Sequence, residues 1–117
     1  MKPEKQRIAI AEACGWVIKT EQVEHTNGYQ WTETRKFWVS PHGKRGELPD
    51  YLNDLNAMAE AIATLGYDKQ QDWLNKLSYV LGFKSRNNWV LSDLVNATAA
   101  QRAEAFLKTI GKWEDDK

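Results

Sequence analysis

Residues 16–39 read WVIKTEQVEHTNGYQWTETRKFWV, two runs of β-favouring residues on either side of Asn27-Gly28. Val17, Ile18, Thr20, Val23 and Thr26 populate the first run; Tyr29, Trp31, Thr32, Thr34, Phe37, Trp38 and Val39 populate the second. β-Branched and aromatic side chains fit a pleated surface, and Asn-Gly supplies the positive φ values that a two-residue hairpin turn needs. With those two residues as the loop, Trp16 pairs with Val39, Val17 with Trp38 and Ile18 with Phe37. Toward the turn, Thr20 meets Arg35, Gln22 meets Glu33 and Glu24 meets Trp31. The base of this hairpin is apolar on both faces and its tip is polar. The pattern therefore predicts a sandwiched base and a tip, Gln22 to Thr34, that projects into solvent or into a partner.

Helical periodicity surrounds the hairpin. Before it, Pro3 suits a first helical position, Ile8, Ala11 and Cys14 form a stripe, and Gly15 is placed to end the helix in the left-handed region. After it, SPHGKRGE (40–47) is a loop by composition. A second helix is expected from Pro49 to Leu65, with Leu48, Leu52, Leu55, Met58, Ile62 and Leu65 as its apolar stripe and Gly66 as its stop. Asp68 would cap a third helix carrying Trp73, Leu74, Leu77, Val80 and Leu81, ended by Gly82. In 84–96, Asn87-Asn88 reads as a turn, and Trp89-Val90-Leu91 as either a short strand or a buried loop. Thr98 and Gln101 match a capping box for the last helix, whose Phe106, Leu107 and Ile110 face inward. The expected fold class is α+β: a helix, a long β-hairpin, then three helices, in one domain over residues 1–113 with a frayed tail at 114–117.

Composition narrows the function. Six tryptophans among 117 residues supply large apolar areas to a small core. Sixteen basic residues balance sixteen acidic ones, whereas proteins that coat nucleic acid through phosphate contacts carry a positive excess, so nucleic acid is not an expected partner. The single cysteine excludes an intramolecular disulfide and fits a reducing compartment. No apolar run approaches the ~20 residues that a membrane span needs, so a cytoplasmic protein with no membrane partner is expected.

Catalytic chemistry is poorly served. His25 and His42 are the only histidines and fall in different elements; His25, near the turn, reads as solvated. Cys14, on an apolar helix face, reads as core. No zinc spacing, nucleophile elbow, P-loop or dinucleotide fingerprint occurs. Asp50 and Asp54 stand four apart, but a carboxylate in a helix's first turn has a structural reason to be there. Tyr51, Asn53, Asp54 and Asn56 on that helix read either as its wet face or, because two asparagines cost helix propensity, as a place where something uses their amides. No enzyme, cofactor or metal is expected.

One constellation suggests binding. Arg35, Lys36, His42, Lys44 and Arg45 lie within eleven residues that contain no acid, with Trp38 among them and glycines at 43 and 46. The segment leads toward the predicted start of the second helix, where free N–H groups attract anions. Cations, a glycine-rich backbone and an aromatic face are what a phosphate or nucleotide ligand requires. A second basic-aromatic group, Lys84, Arg86 and Trp89, would close over the same ligand or belong to a second subunit.

RIAIAEACGW (7–16), LPDYLNDLNAM (48–58) and ATAAQRAEAFLKTIGKW (97–113), in that order, resemble the phage ABA-sandwich domain family, which consists of small phage proteins. The resemblance implies a layered α/β/α sandwich, a phage or prophage origin and a role inside the infected bacterial cell. It supplies no catalytic motif. Residues and resemblance together lead to a non-enzymatic phage accessory protein that inhibits a host defence process by sequestering a small anionic nucleotide. The alternatives are an inhibitor that binds a host protein through the hairpin, and a nucleic-acid-binding early protein. A homodimer is expected in each case, because aromatic residues on both faces of the hairpin exceed what short helices cover.

Overall fold

The last helix organises the molecule. In a computed structural model that describes residues 1–26, 28, 30–82 and 94–115, this helix, α4 (Ala99–Thr109), packs against α1 (Pro3–Ala13), α2 (Leu55–Ala63) and α3 (Tyr67–Val80). Its small residues let the neighbours approach. Ala103, Phe106 and Leu107 are fully buried with Ile10, Ala11, Met58 and Ala61. A smaller cluster, Leu77, Ala97 and Ala105, seats α3 on the other flank. Thr98 and Gln101 form the expected capping box: the Gln101 backbone N–H donates to Thr98 Oγ1 at 3.1 Å, and the Thr98 N–H donates to Gln101 Oε1 at 2.9 Å.

α1 begins with Pro3 and ends as its sequence predicts. Gly15 adopts φ +98°, the Gly15 N–H donates to the Glu12 carbonyl at 3.1 Å, and the Trp16 N–H donates to the Ala11 carbonyl at 3.0 Å. This Schellman closure turns the chain from helix to strand within three residues, 14–16. Ile10, outside the expected stripe, is the deeper residue, and Cys14 is only partly buried.

The hairpin forms, in a different register. β1 (Val17–His25) and β2 (Trp31–Val39) are antiparallel, and a short β3 (Arg45–Gly46) extends the sheet in the order β1-β2-β3. Val17 pairs with Val39, Ile18 with Trp38 and His25 with Trp31, one residue away from each predicted pair. The cause is loop length: the strands stop at His25 and Trp31, so the loop spans 26–30 around Gly28, whose φ is +78°. Asn27 of the predicted two-residue turn lies outside the described residues. The loop expected at 40–47 contains β3, whose Arg45 and Gly46 pair with Val39 and Trp38.

No residue of these strands is buried. The predicted sandwiched base is open in the single chain, with Val17 47% and Ile18 53% exposed on opposite faces. Trp16 and Trp38 anchor the base to the main core, and the rest extends as an arm of roughly 30 Å. The radius of gyration, 18.3 Å, exceeds the about 13 Å of a compact chain this long.

α2 starts six residues later than predicted. Pro49 does not open it; Asp54 is its N-cap, accepting from the backbone N–H groups of Asn56 and Ala57 at 2.9 and 3.3 Å. The segment before it is held by burial of Leu48 and Tyr51 and by Arg7, which donates to the carbonyls of Leu48 and Pro49. Gly66 is the N-cap of α3 rather than a stop, and Asp68 sits in the first turn of α3 instead of capping it. The predicted turn at Asn87-Asn88 and the strand or loop at Trp89-Val90-Leu91 lie outside the described residues.

Candidate functional site

Register decides which side chains share a face. Because paired residue numbers have the same parity, odd-numbered residues project from one face of the sheet and even-numbered residues from the other. Arg35 and Arg45 therefore stand on the odd face, and Lys36 and Trp38 on the even face. His42 and Lys44 lie in the β2–β3 connection, while Lys84, Arg86 and Trp89 fall outside the described residues. The run that is continuous in sequence is divided in space.

Both arginines already have acidic partners. Arg45 forms a two-pronged pair with Glu21, at 2.9 and 3.2 Å, and its guanidinium lies 4.0 Å from the centre of the Phe37 ring. Arg35 donates to Glu33 at 3.1 and 3.2 Å, and His25 Nε2 lies 3.1 Å from the same carboxylate oxygen. The His25 contact, followed by that of Arg35, holds the Glu33 carboxyl below its usual range. The ionised carboxylate thus supports this cluster above the ordinary carboxylate range, and the support is lost as pH falls through the depressed value. The start of α2, expected to attract an anion, is ten residues beyond Arg45 and carries the Asp54 carboxylate. Asp50 is not on that helix; it accepts from Asn53 Nδ2 at 3.2 Å.

The arrangement yields two features that the sequence did not reveal. At the tip, the His25 and Trp31 rings stack, with centroids 3.9 Å apart and planes 12° from parallel. Trp31 is still 52% exposed, and a polar concavity of about 320 Å³ lies beside the pair, bordered by Glu24 and Gln30. The signal was present: His25 and Trp31 lie three residues either side of Gly28, but the two-residue turn assigned them to opposite faces. At the base, a cavity of about 530 Å³ is lined by Cys14, Trp16, Pro41, His42, Tyr51 and Thr64, with Glu60 at its rim. Burial pushes the Cys14 thiol up, and burial with the neighbouring Cys14 pushes the Tyr51 hydroxyl up. Both groups are therefore neutral at physiological pH, and Cys14 is a poor nucleophile. No lysine or arginine is among the described residues lining this cavity. Among the described residues, no three His, Cys, Asp or Glu side chains converge to hold a metal ion.

The structure thus defines an α+β chain, a helical body bearing a three-stranded antiparallel sheet. No protein-family model matches it, and comparisons with curated proteins and with solved structures find no match. Among the described residues, no helix is long and apolar enough to cross a membrane.

Proposed function

We propose that the protein is a non-catalytic phage accessory protein that acts in the host cytoplasm by binding a host protein through the odd face of its hairpin. The observation that carries this reading is the exposed His25–Trp31 stack at the end of an arm with no buried residue. An exposed tryptophan held rigid by stacking presents apolar area at little cost in rotamer freedom, and such residues dominate binding energy at interfaces. The Glu33, Arg35, Glu21 and Arg45 pairs along the same face form a polar surround of balanced charge. Completion of the layered sandwich belongs to the same proposal, with the host protein covering the odd face that one chain leaves open.

The test compares capture of host protein by the wild type and by Trp31→Ala. Loss of a central tryptophan commonly costs about 2 kcal/mol or more, so the expected result is at least a tenfold loss of affinity with little change in melting temperature. Equal capture by both proteins would sink the reading.

Nucleotide sequestration is a second reading, for which the cavity beside Trp16 and His42 supplies volume and an aromatic face but, among its described lining residues, no lysine or arginine. Its about 530 Å³ falls within the ~300–1,000 Å³ typical of small-molecule sites. A nucleotide at about 100 times its dissociation constant would add roughly 2.7 kcal/mol of stability, several degrees in a thermal scan. No shift across a panel of linear and cyclic nucleotides removes it.

A further inference from the structure

Among the described residues, β1 is the edge of the sheet, and its outer side faces no other described strand over nine residues, Val17–His25. Exposed edges of this length are ordinarily blunted by proline, a bulge, charged side chains or a covering segment. VIKTEQVEH contains no proline or glycine, its charges Lys19, Glu21 and Glu24 are of both signs and so can be matched by a suitable partner strand, and its register with β2 runs without interruption. Beyond Trp38 and Val39, which β3 supports, the arm is a two-stranded ribbon, an element that is marginal in water without further strands or a packed face.

We infer that the outer edge of β1 pairs with β1 of a second copy about a two-fold axis. Such an axis stands normal to the sheet and preserves its faces, so residues opposite one another must have the same parity. This leaves few registers. One centred on Lys19 or on Glu21 sets two like charges directly against each other. One centred on Gln22 puts Glu21 against Val23 and Lys19 against His25. The register centred on Thr20 differs in kind. On the odd face, Lys19 lies opposite Glu21 of the second copy and Glu21 opposite its Lys19, flanked on both sides by Val17 against Val23. On the even face, Thr20 meets Thr20, and Ile18 meets Gln22. Opposite charges, threonine pairs and β-branched pairs are the cross-strand combinations that stabilise sheets.

Two further observations fit. Glu21 is already fixed by Arg45 on the odd face, so the carboxylate that would meet the second copy's lysine is positioned before association. The chain also exposes 8136 Å², against about 6,500 Å² for a compact protein of its mass. The excess, about 1,600 Å², is roughly twice what each partner contributes to a standard interface. The product is a continuous six-stranded sheet, β3-β2-β1-β1-β2-β3, that presents two odd faces side by side. The pairing uses the strand edge, independently of what the odd face binds, and Trp31 takes no part in it.

Lys19→Glu and Glu21→Lys, each purified alone, test the pairing by sedimentation equilibrium. The expected result is a wild-type dimer, at least a tenfold weaker dimer for each variant alone, and recovery of dimer in the equimolar mixture, where every charge pair is again opposite. A wild type that is monomeric at 100 µM overturns the inference, as does a folded mixture that fails to recover. Because Glu21→Lys also removes the partner of Arg45, a second measurement guards against misfolding. In a Cys14→Ser background, Thr20→Cys should cross-link to itself under mild oxidation, since two-fold-opposed residues bring their Cα atoms to about 4.5–5.5 Å. Gln22→Cys should not. Cross-linking at Gln22 in place of Thr20 overturns the register. A dimer that persists in Trp31→Ala while host-protein capture is lost separates this inference from the function proposed above.

Discussion

Asp50 and Asp54 show how two identical side chains four residues apart come to different roles. Asp54 accepts from two backbone N–H groups at the start of α2, satisfying donors that no helical carbonyl reaches. Asp50 meets one exposed side-chain amide. Removing an N-cap carboxylate costs about 1 kcal/mol, so Asp54→Ala is expected to lower unfolding free energy in urea by about that amount. Asp50→Ala is expected to cost well under half as much. Equal losses would mean that the cap is not what fixes the helix start. The sequence offered Asp50 as the first-turn carboxylate, with Pro49 favouring the earlier start. Burial of Leu48 and Tyr51 decided against it, together with Arg7 reaching 41 and 42 residues along the chain to the carbonyls of Leu48 and Pro49. Such long-range contacts leave no mark in local periodicity. The ion pair that engages Arg45 escaped for a related reason, since its partner Glu21 is 24 residues away. The partner of Arg35 is local: Glu33 stands two residues earlier, just outside the acid-free run.

Between elements, legibility depended on whether the signal was local. The end of α1 and the start of α4 were readable because capping chemistry is complete within six residues: Gly15 with Trp16, and Thr98 with Gln101. The hairpin was readable as an element, but its register was not, since an odd-length loop and a two-residue turn differ by one residue of pairing and exchange every face assignment. The glycines at the two ends of β1 carry different loads. A Cβ on Gly15 would lie 3.3 Å from Pro41 Cγ in a left-handed backbone, whereas one on Gly28 would meet nothing within 4 Å. Left-handed conformation alone costs an L-residue about 1–2 kcal/mol. Gly15→Ala is therefore expected to exceed that range and to lower the melting temperature of the whole domain, because it strains the joint between α1, β1 and the Pro41 turn. Gly28→Ala should leave the calorimetric midpoint nearly unchanged and weaken amide protection only toward the arm's tip. A reversed order would place the arm, rather than the joint, at the centre of the fold's stability.

Across the whole molecule, apolar burial and exposed backbone are segregated. The fully buried large side chains, Phe106, Ile10, Met58, Leu77 and Leu107, all lie on helices, whereas β1 and β2 hold together by ladder hydrogen bonds and surface pairs such as Gln22 with Thr34, at 3.2 Å. Regions rich in exposed hydrogen bonds and poor in buried contacts open locally, without unfolding the rest. The two parts should therefore respond separately to a core lesion. Phe106→Ala removes the largest fully buried side chain among the described residues and is expected to cost about 3–5 kcal/mol. Amides of α1, α2 and α4 that exchange only through global unfolding should then exchange faster by two or more orders of magnitude, roughly tenfold for each 1.4 kcal/mol. Amides of β1 and β2 toward the tip are expected to exchange through a local opening that leaves Phe106 packed, so their rates should hardly move. The distinction matters for function because an arm that opens independently can adapt to a partner without loosening the body that carries it. Acceleration of all amides by the same factor would instead make body and arm one cooperative unit, and would deprive the arm of that freedom.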